Sequence, residues 1–157
     1  MKIVINKCYG GFGLSAKAVK RMAELQGRPC YFFTYDFKTS QHYPIEFEKI
    51  STSEILKTWS TYDIPDLTGL PSQEDWHSRI DDYRKECNRI WNLHSIENGR
   101  EIDRTDPHLI QAVEELGEEA NGDFAKLKVV EIPDGLDYEI DEYDGMESIH
   151  EKHQIWY

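Results

Sequence analysis

Apolar and polar positions along this chain change period several times, and each change predicts an element. Residues 2–8, "KIVINKC", are apolar and β-branched enough to predict an opening strand, which the glycines of "YGGFG" break. From Ser15 the period lengthens to that of a helix, with Val19, Met22 and Ala23 as its buried face. Ser15 is a natural N-cap, Leu14 and Val19 sit at staple positions, and Gly27 is the stop. "CYFFTYDF" then predicts a second strand.

From 51 to 92 the pattern shifts to short apolar groups around Pro65, Gly69 and Pro71, followed by Trp76, Ile80, Tyr83, Cys87, Ile90 and Trp91 at helical spacing. Ser72 and Asp75 form a cap signal for that helix, which is expected to be an insertion. In "HSIENGREID", Asn98-Gly99 lies between two alternating runs and predicts a hairpin. Asp106 as N-cap and Pro107 as first helical residue open a further helix with Leu109, Ile110, Val113, Leu116 and Ala120 as its stripe, stopped by Asn121-Gly122. "AKLKVVEIP" and "YEIDEYD" predict two strands, and "MESIHEKHQIW" a last short helix. The order implies a single α+β domain over 1–157, a mostly antiparallel sheet with two or three helices packed on it and a helical insertion at 51–92.

Composition narrows the chemistry. The 157 residues carry 30 acids against 18 bases, a formal charge of -12, so a long phosphate polymer is an unsuitable partner while a small anion at a local basic pocket is not. Cys8, Cys30 and Cys87 are odd in number and lack CxxC spacing, which fits reduced thiols better than disulfides or a zinc site. No apolar run has the length of a signal core or a membrane span, so a cytosolic chain without membrane association is expected.

Two places have the residue types of a ligand site. A glycine-rich turn between a strand and a helix start can present backbone amides to an anion, and Tyr9 and Phe12 interleaved with Gly10 and Gly11 suit base stacking; a plain turn with packed rings is the competing reading. The spacing fits neither a Walker loop nor the dinucleotide fingerprint. Arg104, with Thr105 and Asp106 at the next helix start, could add a guanidinium, or else pair with Asp103 or Asp106. On the ligand reading, Arg104→Ala abolishes binding and leaves the ligand-free fold unchanged. Arg28 could reach a ligand or complement a helix dipole, and Trp91 and Asn92 are candidates for stacking and hydrogen bonding. Glu114, Glu115, Glu118 and Glu119 have the spacing of a magnesium-holding helix in a nucleotide pyrophosphohydrolase, although a solvated face explains them more simply. His150 and His153 miss the HExxH spacing, and no complete catalytic or metal-binding set is evident.

The stretches "INKCYGGFGLS", "RTDPHLIQAVEELGEEANGDFAKLKVVEIP", "YEIDEYDG" and "EKHQIW" resemble the Thoeris anti-defence sponge family, phage proteins that trap cyclic ADP-ribose isomers used as immune alarm signals. The resemblance covers about residues 1–36 and 93–156, and 51–92 departs from it. It implies sequestration without catalysis or cofactor in the cytoplasm of an infected bacterial host. It also implies self-association to a dimer or larger ring, and in some relatives cyclic oligonucleotides as further ligands. A metal-dependent pyrophosphohydrolase and an acidic inhibitor that covers a basic protein partner are the alternatives.

Overall fold

The computed structural model describes residues 1–36, 41–50, 58–66 and 80–152. In chain order these form β1 (Lys2–Asn6), α1 (Ala16–Leu25), β2 (Tyr31–Asp36), β3 (Gln41–Ile45), β4 (Thr58–Thr61), α2 (Ile80–His94), α3 (Pro107–Leu116), β5 (Leu127–Glu131), β6 (Tyr138–Tyr143) and β7 (Met146–Glu151). The fold is α+β and every strand pairing is antiparallel. The strands form three small sheets, β1-β5, β3-β2-β4 and β6-β7, instead of one continuous sheet. Among the described residues no helix is long and apolar enough to cross a membrane.

The chain divides into two compact units, Met1–Gln26 with Glu97–Tyr157, and Gly27–Ile96. In the first, the Ser15 hydroxyl accepts from the Ala18 amide at 3.1 Å and donates to the Glu119 carbonyl at 2.6 Å, so it caps α1 and ties it to the chain after α3. α1 buries Ala18 with the expected Val19, Met22 and Ala23; α3 buries Leu109 and Val113 of its expected stripe and Ala112 beside them, while Ile110 and Leu116 are half-buried and Ala120 is buried in the turn that follows. α1 packs on α3, and α3 on β1 and β5, so these faces close on Ile3, Val4 and Ile5 as the core. Asp106 caps α3 as its position predicts, while Gly117 ends it earlier than Asn121-Gly122, and a 3-10 turn over Gly117–Ala120 follows.

Two expected elements are absent from their places. Asn98-Gly99 makes no hairpin: α2 extends to His94 and absorbs part of the preceding run, and Asn98 instead offers its carbonyl to the Leu14 amide at 2.9 Å. The hairpin forms at Asp144-Gly145, where positive φ at both residues (50° and 85°) gives the turn that joins β6 to β7. Met146–Glu151 is therefore a strand paired with β6, not the start of a helix, because the turn holds it in register with Tyr138–Tyr143. The rest of the expected helix, from 153 on, lies outside the described residues.

In the second unit β2 is central, with β3 and β4 on either side. Phe33 stands opposite both Pro44 and Trp59, and Tyr35 opposite His42, so these five share one face. α2 brings Trp91 against that face, 5.3 Å from Phe33 and 4.3 Å from His42 between ring centroids. The opposite face carries Phe32, which meets Phe47 at 5.7 Å. The stretch 51–92 thus supplies a strand as well as a helix; Ser72, Asp75 and Trp76, expected at the helix start, lie outside the described residues.

Gly145 is the tightest point of the first unit. A Cβ there would land on the backbone nitrogen of Gly11, and its φ is already one that L residues avoid. Gly145→Ala is expected to destabilise by more than about 2 kcal/mol, whereas Gly135→Ala, with φ +78° but nothing near its Cβ, should cost only about 1 kcal/mol. Urea denaturation of both variants measures the difference.

Candidate functional site

The glycine loop is built outward from Asn6, which is fully buried at the end of β1. Its amide side chain donates to the Cys8 and Gly145 carbonyls, both at 2.6 Å, and accepts from the Lys126 amide at 2.7 Å, while its backbone amide donates to Glu147 Oε2 at 2.8 Å. This network holds the loop against the β6-β7 turn, and Gly10 donates to the Asp144 carbonyl at 3.2 Å. A Cβ on Gly10 would come within 2.7 Å of Phe124 Cβ, so the loop backbone also abuts the 122–125 turn.

The candidate residues then part company. Phe12 is buried beneath the Arg104 guanidinium, whose central carbon lies 3.4 Å from the ring centroid. Arg104 is 8% exposed and makes two parallel bonds of 3.0 Å to the Glu147 carboxylate, with further bonds to the Arg100 carbonyl at 3.1 Å and the Val4 carbonyl at 3.5 Å. Its guanidinium is therefore committed inside the protein rather than offered to an anion. Thr105 turns its amide and hydroxyl onto Asp103 Oδ1 at 2.9 and 2.7 Å, and these bonds hold the Asp103 carboxyl below the usual range. Asp106 accepts from the His108 and Leu109 amides, so a carboxylate already occupies the place an anion would take at the start of α3.

Tyr9, Gly10 and Gly11 remain at the surface loop, and Tyr9 is 59% exposed. The same backbone contacts bring two residues that sequence reasoning passed over to this loop: Phe124, 66% exposed, and Tyr143, 77% exposed and next to Asp144. Sequence alone carried no signal that separates them from Phe12, an aromatic that also sits in a glycine turn and is buried. A hollow of about 380 Å³ adjoins Tyr143, lined also by Lys7, Met146, Ser148 and His150 together with Asp141, Glu142 and Glu147. Those carboxylates are partnered: Glu142 by Arg100 at 3.1 Å, Asp141 by His150 at 3.5 Å and Glu147 by Arg104. Lys7 and Ser148 also line a second, more apolar groove of about 290 Å³ with Ile5, Lys128, Val130 and Ile149.

Arg28, Trp91 and Asn92 belong to the second unit. Arg28 lies over the Tyr62 ring at 3.3 Å, and Asn92 is exposed on α2. Trp91 is 2% exposed, packed among Phe33, His42 and Trp59, which is a core position. Its indole nitrogen and His42 Nε2 are buried without partners. Burial among the rings pushes the His42 pKa down to about 4.

The four glutamates of "EELGEE" do not share one helix face, because α3 ends at Leu116 and Glu118 and Glu119 fall in the following turn. Glu114 pairs with Lys2 at 2.6 Å, Glu115 with Arg21 at 2.6 Å and Glu119 with Lys17 at 2.5 Å. Among the described residues no three His, Cys, Asp or Glu side chains are placed to hold a metal ion. His150 contacts Ser148, and His153 lies outside the described residues. Comparison with protein-family models, curated proteins and solved structures finds no match to this chain.

Arg104→Ala strands the Glu147 charge in the interior, so it is expected to cost about 3–5 kcal/mol in urea unfolding, contrary to the unchanged stability a surface ligand arginine would show. His42 supplies a pH test. Its folded pKa lies below the unfolded value, so between about pH 6.5 and 4 the unfolded chain binds the extra proton and stability falls with acidification. Melting temperatures measured across that range should fall less steeply in His42→Phe than in the natural protein.

Proposed function

We propose that the chain is a non-catalytic protein that sequesters a small cyclic nucleotide of the ADP-ribose type, acting in the cytoplasm of an infected bacterial host. The observation that carries this reading is the glycine loop itself: it contains the exposed Tyr9, abuts the backbone of the exposed Phe124 and meets the Asp144-Gly145 turn beside the exposed Tyr143, which lines a hollow. Exposed rings on a rigid base are a stacking platform for adenine, and a platform built from separate segments can hold a ligand without supplying a reactive group. The resemblance of "INKCYGGFGLS" and "YEIDEYDG" to the sponge family supports the same ligand class and adds self-association between copies. Incubation with cyclic ADP-ribose isomers should raise the melting temperature, and heating should release the ligand intact. Tyr9→Ala combined with Tyr143→Ala is expected to weaken binding more than roughly tenfold, the scale of one lost stacking contact, without lowering the melting temperature of the free protein. Release of a cleaved product, or no shift with any isomer, refutes the proposal.

One observation favours a second reading. β6 and its turn expose Glu139, Asp141, Glu142 and Asp144 on a chain of formal charge -12, a surface suited to a basic protein partner. In that case no small molecule stabilises the protein, and a salt-sensitive protein complex forms instead.

A further inference from the structure

Charge pairing in the first unit is uneven. Among its described residues, Lys2, Lys17, Lys20, Arg21, Arg100, Arg104 and Lys152 each contact a carboxylate, as the excess of acids makes easy. Lys7, Lys126 and Lys128 are the lysines there that have no ion pair; Lys7 reaches only the Glu147 backbone carbonyl, at 3.4 Å. They are also neighbours. Ile5 stands opposite Lys128 and Ile3 opposite Val130, and the Lys7 amide donates to the Lys126 carbonyl at 2.8 Å, continuing the pairing by one step. Alternation then puts all three lysines on one face of the β1-β5 ribbon, with Ile3, Ile5 and Val130 beyond them. Lysines two apart on a strand are about 7 Å apart, and cross-strand neighbours about 5 Å, so three ammonium groups can converge on two adjacent phosphates.

The groove described above starts at this face. Lys7, Lys128 and Ser148 line it over a floor of Ile5, Val130, Ile132, Leu136 and Ile149, and Glu151, at the end of the hairpin away from the turn, is the one carboxylate among its lining residues. The nearest buried acid, Glu147, is already engaged by Arg104 and the Asn6 amide. Lys7 also lines the hollow that contains Tyr143, so a single ligand could touch both.

We infer that Lys7, Lys126 and Lys128 form the anion subsite of this protein, holding the diphosphate of a nucleotide whose base stacks at the glycine loop. The subsite itself stands on the charge pattern; its assignment to a nucleotide rests on the function proposed above. An ammonium cluster attracts phosphate oxygens without needing burial, and its pull falls with salt.

Calorimetric titration at low salt with ADP, adenosine and inorganic pyrophosphate tests this in the natural protein, in Lys7→Gln/Lys126→Gln/Lys128→Gln, and in a control of equal net charge, Lys2→Gln/Lys17→Gln/Lys152→Gln. ADP should bind roughly tenfold or more tighter than adenosine in the natural protein and the control, and the two should bind alike in the first variant, with its circular dichroism unchanged. Equal affinity for ADP and adenosine in the natural protein, or an undiminished preference in the first variant, overturns the subsite. If a cyclic nucleotide binds the first variant as tightly as the natural protein, the subsite fails and the sequestering function stands. If pyrophosphate binds with lysine dependence while no nucleotide binds at all, the function fails and the subsite stands. Absence of binding by every probe refutes both.

Discussion

The first unit is organised around a buried ion pair. Removing Arg104 and Glu147 from water carries a desolvation cost that Coulomb attraction alone does not reliably recover, so the pair depends on its surroundings. Two parallel hydrogen bonds, the Phe12 ring under the guanidinium, the Val4 and Arg100 carbonyls and the Asn6 amide together supply them. The partners come from four segments: β1, the glycine loop, the turn before α3 and the hairpin. One donor, Arg104 Nε, has no partner, so the network is close to complete but not wholly so. The pair also depends on the register that the Asp144-Gly145 turn sets, because a slip of one residue would turn Glu147 to the opposite face.

That fixed register explains how packing and surface chemistry meet at one end of the unit. With β7 held by Glu147, the Asp144-Gly145 turn is brought onto Gly10 and Gly11, an approach for which position 145 must be glycine. Backbone fills the interior of the junction and the neighbouring rings of Tyr9, Phe124 and Tyr143 stand outside it. The arginine with the residue type of a ligand contact is thus a structural strut, while among the described residues of this unit Lys7, Lys126 and Lys128 have no carboxylate partner. In an acidic chain the informative cation is the one that stays unpaired, since surface pairs of the ordinary kind contribute little and form wherever partners are near.

The second unit follows a different logic. One sheet face carries a cluster of rings into which α2 inserts Trp91, and the cost there is borne by buried nitrogens instead of charges. His42 stays neutral because the rings around it offer no counter-charge. Acid therefore acts on this unit in part by protonating His42, whereas the first unit relies on a carboxylate and a guanidinium whose charges match.

Local patterns were sufficient for elements whose causes lie within a few residues. The β-branched run of β1, the Ser15 and Asp106 caps, the stripes of α1 and α3 and the α+β class are all legible in order along the chain, because capping and amphipathic periodicity act over one or two turns. The choice between two Asx-Gly turns, at 98–99 and 144–145, was not, since hairpin formation requires strands on both sides and α2 had already taken one of them. Nor was the partner of Arg104, a carboxylate 43 residues further on, nor the distribution of "EELGEE" across a helix end and a turn. Ion pairing and ring exposure depend on which distant segments the fold brings together. The sequence by itself determined where β1, α1 and α3 begin, because their caps and periodicity are local, and only tertiary packing decided which turn became a hairpin, which charged and aromatic side chains were used up inside and which were left facing out.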